Sequence, residues 1–128
     1  MKATFSGLEP WALNSPESEI STPLGTFDLH GDCSFLGFGV DGHPKARLAL
    51  RFGTLGREFA IQFEDVGQLF IEQDAVSSDG WFGTPETSPE GIETILYYEY
   101  GSELPPVFEI VAATFRFKFR AWRVAFSG

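Results

Sequence analysis

The residues best placed to do chemistry are Asp28-Leu29-His30-Gly31-Asp32-Cys33. On an extended chain Asp28, His30 and Asp32 share one face, because side chains alternate along a strand. An imidazole between two carboxylates is a donor set that a divalent metal accepts. The competing reading puts His30 at the start of a strand, hydrogen-bonded to one of those carboxylates, with Cys33 as a small buried filler. The second histidine, His43, precedes Pro44 in a turn and reads as a solvent-exposed loop residue. Zinc would therefore lack a second imidazole nearby.

Other catalytic constellations are harder to assemble. A strand would send Cys33 and His30 to opposite faces, and no serine carries the glycine pattern of a nucleophile elbow. Glu64-Asp65 and Glu72-x-Asp74 are neighbouring acids without the burial that a general-acid pair needs. Gly53-Thr54-Leu55-Gly56 is a hairpin turn and not a phosphate loop. These patterns predict a domain that is not an enzyme and takes no cofactor.

The elements that must position any site are strands. Thr114 to Gly128 alternates aromatic and basic side chains without one acid. Phe115, Phe117 and Phe119 share one parity and Arg116, Lys118 and Arg120 the other, which predicts a strand with rings in the core and cations outside. Those cations are expected to pair across strands with acids such as Glu99 or Glu109. Trp122, Val124 and Phe126 then take the opposite parity, which requires a bulge or bend near Arg120–Trp122 or burial on both faces; a bent strand that serves two sheets or closes a barrel would account for it.

Upstream, Ala46–Phe52 places Leu48, Leu50 and Phe52 inward, and Arg57–Glu64 places Phe59, Ile61 and Phe63 inward. With Phe27–Val40, these form a three-strand meander closed by turns at Asp41–Pro44 and Gly53–Gly56. Leu36, Phe38 and Val40 are expected on one face and Gly37 and Gly39 on the other. Asp65-Val66-Gly67 interrupts the pattern, marking a bulge where the chain changes sheets. Ile92–Tyr100 and Val107–Ala113 supply further strands. Residues 1–26 read as irregular, with one helical turn capped by Ser15 or a loop in its place, and with Phe5, Leu8, Trp11 and Leu13 as a flap on the sheet.

The fold predicted for 1–128 is thus a single all-β domain, an antiparallel sandwich or partly open barrel of seven to nine strands. Fourteen Phe, three Trp and three Tyr supply its core, and 14 Gly and 8 Pro punctuate the turns. A single cysteine excludes an internal disulfide and fits a reducing compartment. Without an apolar leader or a long apolar run, a cytoplasmic protein with no membrane association is expected. The net charge of −9 opposes nucleic acid binding and suits a basic protein partner. All 18 acids precede residue 114, and the segment after it carries 4 basic residues.

Three segments, Leu29–Phe38, Leu48–Phe52 and Phe59–Ile71, resemble small all-β bacterial proteins that include immunity domains against secreted polymorphic toxins. Gly31 separates His30 from Asp32, which those families place side by side. The resemblance implies non-catalytic binding of a protein partner and carries no site residues over. The long loop 74–91 offers a binding surface of its own. There Trp81 and Phe82 stand among Asp79, Glu86 and Glu90, an aromatic anchor in an acidic surround. A lid on the core is the competing reading of the same two rings. The alternatives at the level of function are a β-barrel carrier of an apolar or acidic small molecule, and a homo-oligomer joined through an edge strand.

Overall fold

The computed structural model describes residues 2–42, 45–73, 92–101, 103–112 and 115–128. These form ten strands and no helix. The meander is present: β4 (Ser34–Asp41), β5 (Ala46–Thr54) and β6 (Arg57–Gln73) are successive antiparallel neighbours. Leu55 and Gly56 turn the chain at φ of 50° and 74°, the paired left-handed conformation of a two-residue hairpin. That turn sets Thr54 opposite Arg57, so Leu48, Leu50 and Phe52 meet Phe63, Ile61 and Phe59 across the ladder. All six are buried.

β4 departs from its expected alternation. Its register slips between Phe35 and Gly37, where Gly37 has a φ of 147° that other residues rarely adopt. The extra residue lets both Phe35 and Phe38 reach the rings of Phe115 and Phe117. Leu36 and Val40 are left exposed. Filling one aromatic cluster from two positions of unlike parity requires such a bulge.

The 17-residue β6 also carries its predicted interruption. Asp65 and Gln68 have φ of 57° and 53°, and the pairing shifts between Gly67 and Phe70. Before the interruption β6 lies between β5 and β10 (Arg123–Ser127); after it, β6 pairs with β9 (Phe115–Arg120). β9 and β10 both run antiparallel to β6, so residues 115–127 follow that long strand and bend with it. The bend converts parity as predicted: Phe117, Phe119 and Ala121 are buried before it and Val124 after it. β8 (Val107–Ala112) pairs with β9, and β7 (Ile92–Tyr98) with β8, giving the order β1-β10-β6-β9-β8-β7. β5 and β4 extend from the first half of β6. The result is a curled, partly open half-barrel in which the parallel pair of β1 (Thr4–Ser6) and β10 is the exception to antiparallel pairing among the described strands.

The N-terminal segment is more ordered than its pattern suggests. Besides β1 it contains a hairpin of β2 (Glu19–Thr22) and β3 (Gly25–Asp28), which raises the strand number above the predicted range. Of the turn and the loop expected after Ser15, the chain takes the loop. Asn14 turns at a φ of 62°, and the chain lies extended along β7. There the Asn14 amide donates to Tyr97 O, and Glu17 and Ile95 exchange both backbone hydrogen bonds. A helical turn would have left those β7 groups unpaired beside a buried core. The predicted flap is present, since Leu8 and Trp11 are buried and Phe5 and Leu13 pack against the core. Trp11 sits among Phe5, Phe63 and Phe108, and stacked rings run Tyr97–Phe108–Phe119 through the interior.

Candidate functional site

Arg116, Lys118 and Arg120 alternate with the core rings of β9, and Arg116 and Lys118 are exposed as predicted. Arg120 is not. It is only 8% exposed, although it lines the same outer groove as Lys118. What covers it comes from two other segments. The chain reverses after β7 at Gly101 and Glu103, with φ of 94° and 61°, and brings Pro105 back over β9. Pro105 O accepts from Arg120 Nη1 at 2.7 Å, and Ala121 N donates to Pro106 O at 3.3 Å. From the other side Gln68, held at the β6 interruption, accepts from Arg120 Nε through Oε1 at 3.1 Å. The guanidinium carbon lies 5.8 Å from the centre of the Tyr100 ring, within cation–π range.

The groove holds about 440 Å³ and runs over the outer side of β6, β9, β8 and β7. Phe70, Tyr98, Tyr100 and Lys118 line it as well, together with Val107 and Phe119. Phe70 is 57% exposed and Tyr100 70%. Of the acids expected to pair with the basic stripe, Glu109 stands opposite Lys118 in the ladder. Its carboxylate, however, accepts the hydroxyl proton of Tyr98. Partial burial pushes the Tyr98 phenol up to about 12, and donation to the Glu109 anion adds to the shift. Glu99 lies beyond the end of β7 and has interactions of its own.

Lys45 and Arg123 both reach Asp65, Arg123 also approaches Glu64, and Arg47 pairs with Asp41. Arg120 differs from them: among the described residues no carboxylate lies within ion-pair distance of it. The arrangement is a nearly buried cation beside the Tyr100 ring, in the wall of the groove.

The Asp28, His30 and Asp32 group does not share a strand face. Asp28 ends β3, and its Oδ1 accepts from the backbone amides of His30 and Gly31 at 2.9 and 3.2 Å. Asp32 N returns to Asp28 O at 2.9 Å. An aspartate that satisfies the amides two and three positions on makes a turn, which rotates the three side chains apart. Among the described residues no three His, Cys, Asp or Glu side chains converge as metal ligands. Cys33 is buried, as the filler reading expects. Burial pushes its thiol up, a hydrogen bond with Thr54 opposes the shift, and Asp32 and Asp28 add to it. Asp79, Trp81, Phe82, Glu86 and Glu90, like His43, lie outside the described residues.

The groove was legible only in part. Parity placed Lys118 and Arg120 on one outer face, but Gln68, Phe70, Tyr98 and Tyr100 come from elements whose adjacency the sequence does not state. The Gly/Pro-rich turn at 101–106 beside a strand predicted to carry arginine was the available signal.

No protein-family model, no curated protein and no solved structure matches the chain.

Proposed function

We propose that this domain acts by binding another protein and not by catalysing a reaction, using the outer face of the β6–β9–β8–β7 sheet. The observation that carries this reading is the exposure of Phe70 and Tyr100 on either side of a groove with a fixed arginine at its base. Aromatic residues and arginine dominate the energetics of protein interfaces, because they bury much area around a directional donor. The resemblance of Leu29–Phe38 and Phe59–Ile71 to immunity domains supports a protein as the ligand, and an immunity-type role in the cytoplasm is part of this proposal. A carrier would need a chamber; Trp11, Phe63, Phe108 and Phe119 fill the described interior with ring contacts, so that alternative has less support.

The test is a photoreactive phenylalanine analogue placed at Phe70 in the native host, with the same analogue at Leu55 on the distant turn as control. A discrete adduct from position 70 alone is expected. The adduct is then identified by mass spectrometry, the captured protein purified, and its affinity measured against Phe70→Ala and Tyr100→Ala. Each substitution should weaken binding about tenfold or more while leaving the melting temperature within a few degrees. Equal adducts at both positions, or unchanged affinity in both variants, would sink the reading.

A further inference from the structure

We infer that the groove is a seat for a carboxylate, carried beside an apolar side chain on a protein partner, with Arg120 as its principal contact. This rests on the protein-binding reading and names the chemistry of the element recognised. The first argument is electrostatic. A buried charge is costly unless an opposite charge answers it, and among the described residues Arg120 meets the neutral oxygens of Gln68 and Pro105 and the Tyr100 ring, without a carboxylate in ion-pair distance. A guanidinium has more N–H donors than the two they occupy, arranged as a planar fork that matches a carboxylate.

The second argument is the contrast with three other cations of the chain. On a chain of net charge −9, Lys45, Arg47 and Arg123 are already neutralised by Asp65, Asp41 and Glu64. Lys118, exposed on the same groove, adds a second cation to Arg120. Glu109, the acid nearest in register, accepts from Tyr98 and keeps its charge, so two cations face one carboxylate. The groove is therefore a local reversal of sign, which attracts one acid while the surrounding field repels a polyanion.

The third argument is the lining. Phe70, Tyr98 and Tyr100 offer ring faces beside the cations, so an apolar side chain adjacent to the acid would be buried with it. The volume of about 440 Å³ is large enough for such a pair of side chains.

The test uses two capped hexapeptides that differ in one atom group, one containing Phe-Glu and the other Phe-Gln, titrated into the isotope-labelled full chain and followed by amide chemical shifts. The Phe-Glu peptide is expected to shift Phe70, Tyr98, Tyr100, Lys118 and Arg120 with millimolar affinity, and the Phe-Gln peptide to bind about tenfold more weakly. Arg120→Gln should abolish the response. Because Arg120 also ties Pro105 and Gln68 together, the exposed Lys118→Gln provides a second variant whose melting temperature should not move and whose affinity should fall about threefold.

No localised shifts by about 10 mM peptide, or equal responses to the two peptides, would overturn the inference. So would a stronger response to inorganic phosphate or to a single-stranded oligonucleotide. The two readings fail separately. A partner captured at Phe70 that binds Arg120→Gln and Lys118→Gln as tightly as the parent refutes the carboxylate seat alone. A Phe-Glu response that is lost in Arg120→Gln, with no partner found, refutes the protein-partner reading alone.

Discussion

Arg123 donates to Asp65 Oδ2 from Nη2 at 3.0 Å and from Nε at 3.2 Å, joining the two longest paths of the sheet at the point where both bend. Asp65 holds this position at a φ of 57°, which aspartate tolerates better than most residues. Two effects are therefore combined in one residue and can be separated. Asp65→Asn removes the charge and keeps the backbone preference; with Arg123 more than half exposed, it should cost about 0.2–1 kcal/mol. Asp65→Val adds a β-branched residue in a left-handed conformation and should cost about 1–2 kcal/mol more. Urea unfolding of both variants checks the order, and equal losses would show that the ion pair alone fixes the bend.

The same bend shows what a sequence can and cannot state. The meander is readable because its causes are local: the Leu55-Gly56 turn sets the register and parity then assigns Phe59, Ile61 and Phe63 to the core. The parity change near Arg120–Trp122 is also local and marks the bend correctly. The burial of Arg120 is not local, because Pro105 and Gln68 lie 15 and 52 residues away. Leu36 leaves the expected face for a related reason, since the bulge beside it brings both Phe35 and Phe38 to rings on β9. The Asp28 turn is the case that could have been found, because an aspartate followed by glycine three positions on is a turn signal as much as a strand.

Leu55 identifies a residue working against its conformation. It is fully exposed at a φ of 50°, so its side chain gains nothing from packing and its backbone is strained. Asparagine before glycine is the preferred pair for this turn. Leu55→Asn should therefore stabilise the fold by about 0.5–1 kcal/mol. The midpoint of chemical unfolding measures this, and a loss of stability would show that the turn is not the left-handed pair described.

Trp11 anchors the N-terminal flap and bears the buried indole Nε1, which has no hydrogen-bond partner among the described residues. Two costs oppose each other there. Trp11→Ala opens a cavity between Phe5, Phe63 and Phe108 and should destabilise by about 3–5 kcal/mol. Trp11→Phe keeps most of the ring contacts and deletes the unsatisfied donor, whose burial costs about 1–3 kcal/mol. Its net loss should stay below about 2 kcal/mol. Thermal unfolding of the pair decides, and similar losses would mean that the indole proton has a partner in solution.

Alkaline pH should expose the outer groove's own contribution to stability. Burial pushes the Tyr97 phenol up, and burial together with Glu109 pushes Tyr98 up to about 12. For an acid that is neutral when protonated, a raised folded value means that the fold favours the proton-bound form. Stability from these groups is complete below the ordinary tyrosine value of about 10 and is lost as pH rises from there through about 12. The buried Cys33 thiol starts the same decline earlier, above its ordinary value of 9.0. Urea midpoints measured from neutral pH to pH 12 should fall most steeply in the last two units. Tyr98→Phe should flatten that part, because it removes the proton whose loss is linked to unfolding. Glu109→Gln should lower the Tyr98 value and shift the steep part toward neutrality, since the carboxylate no longer opposes the phenolate. A Tyr98→Phe curve that parallels the parent over this range would assign the decline to Tyr97 and remove Tyr98 from the account.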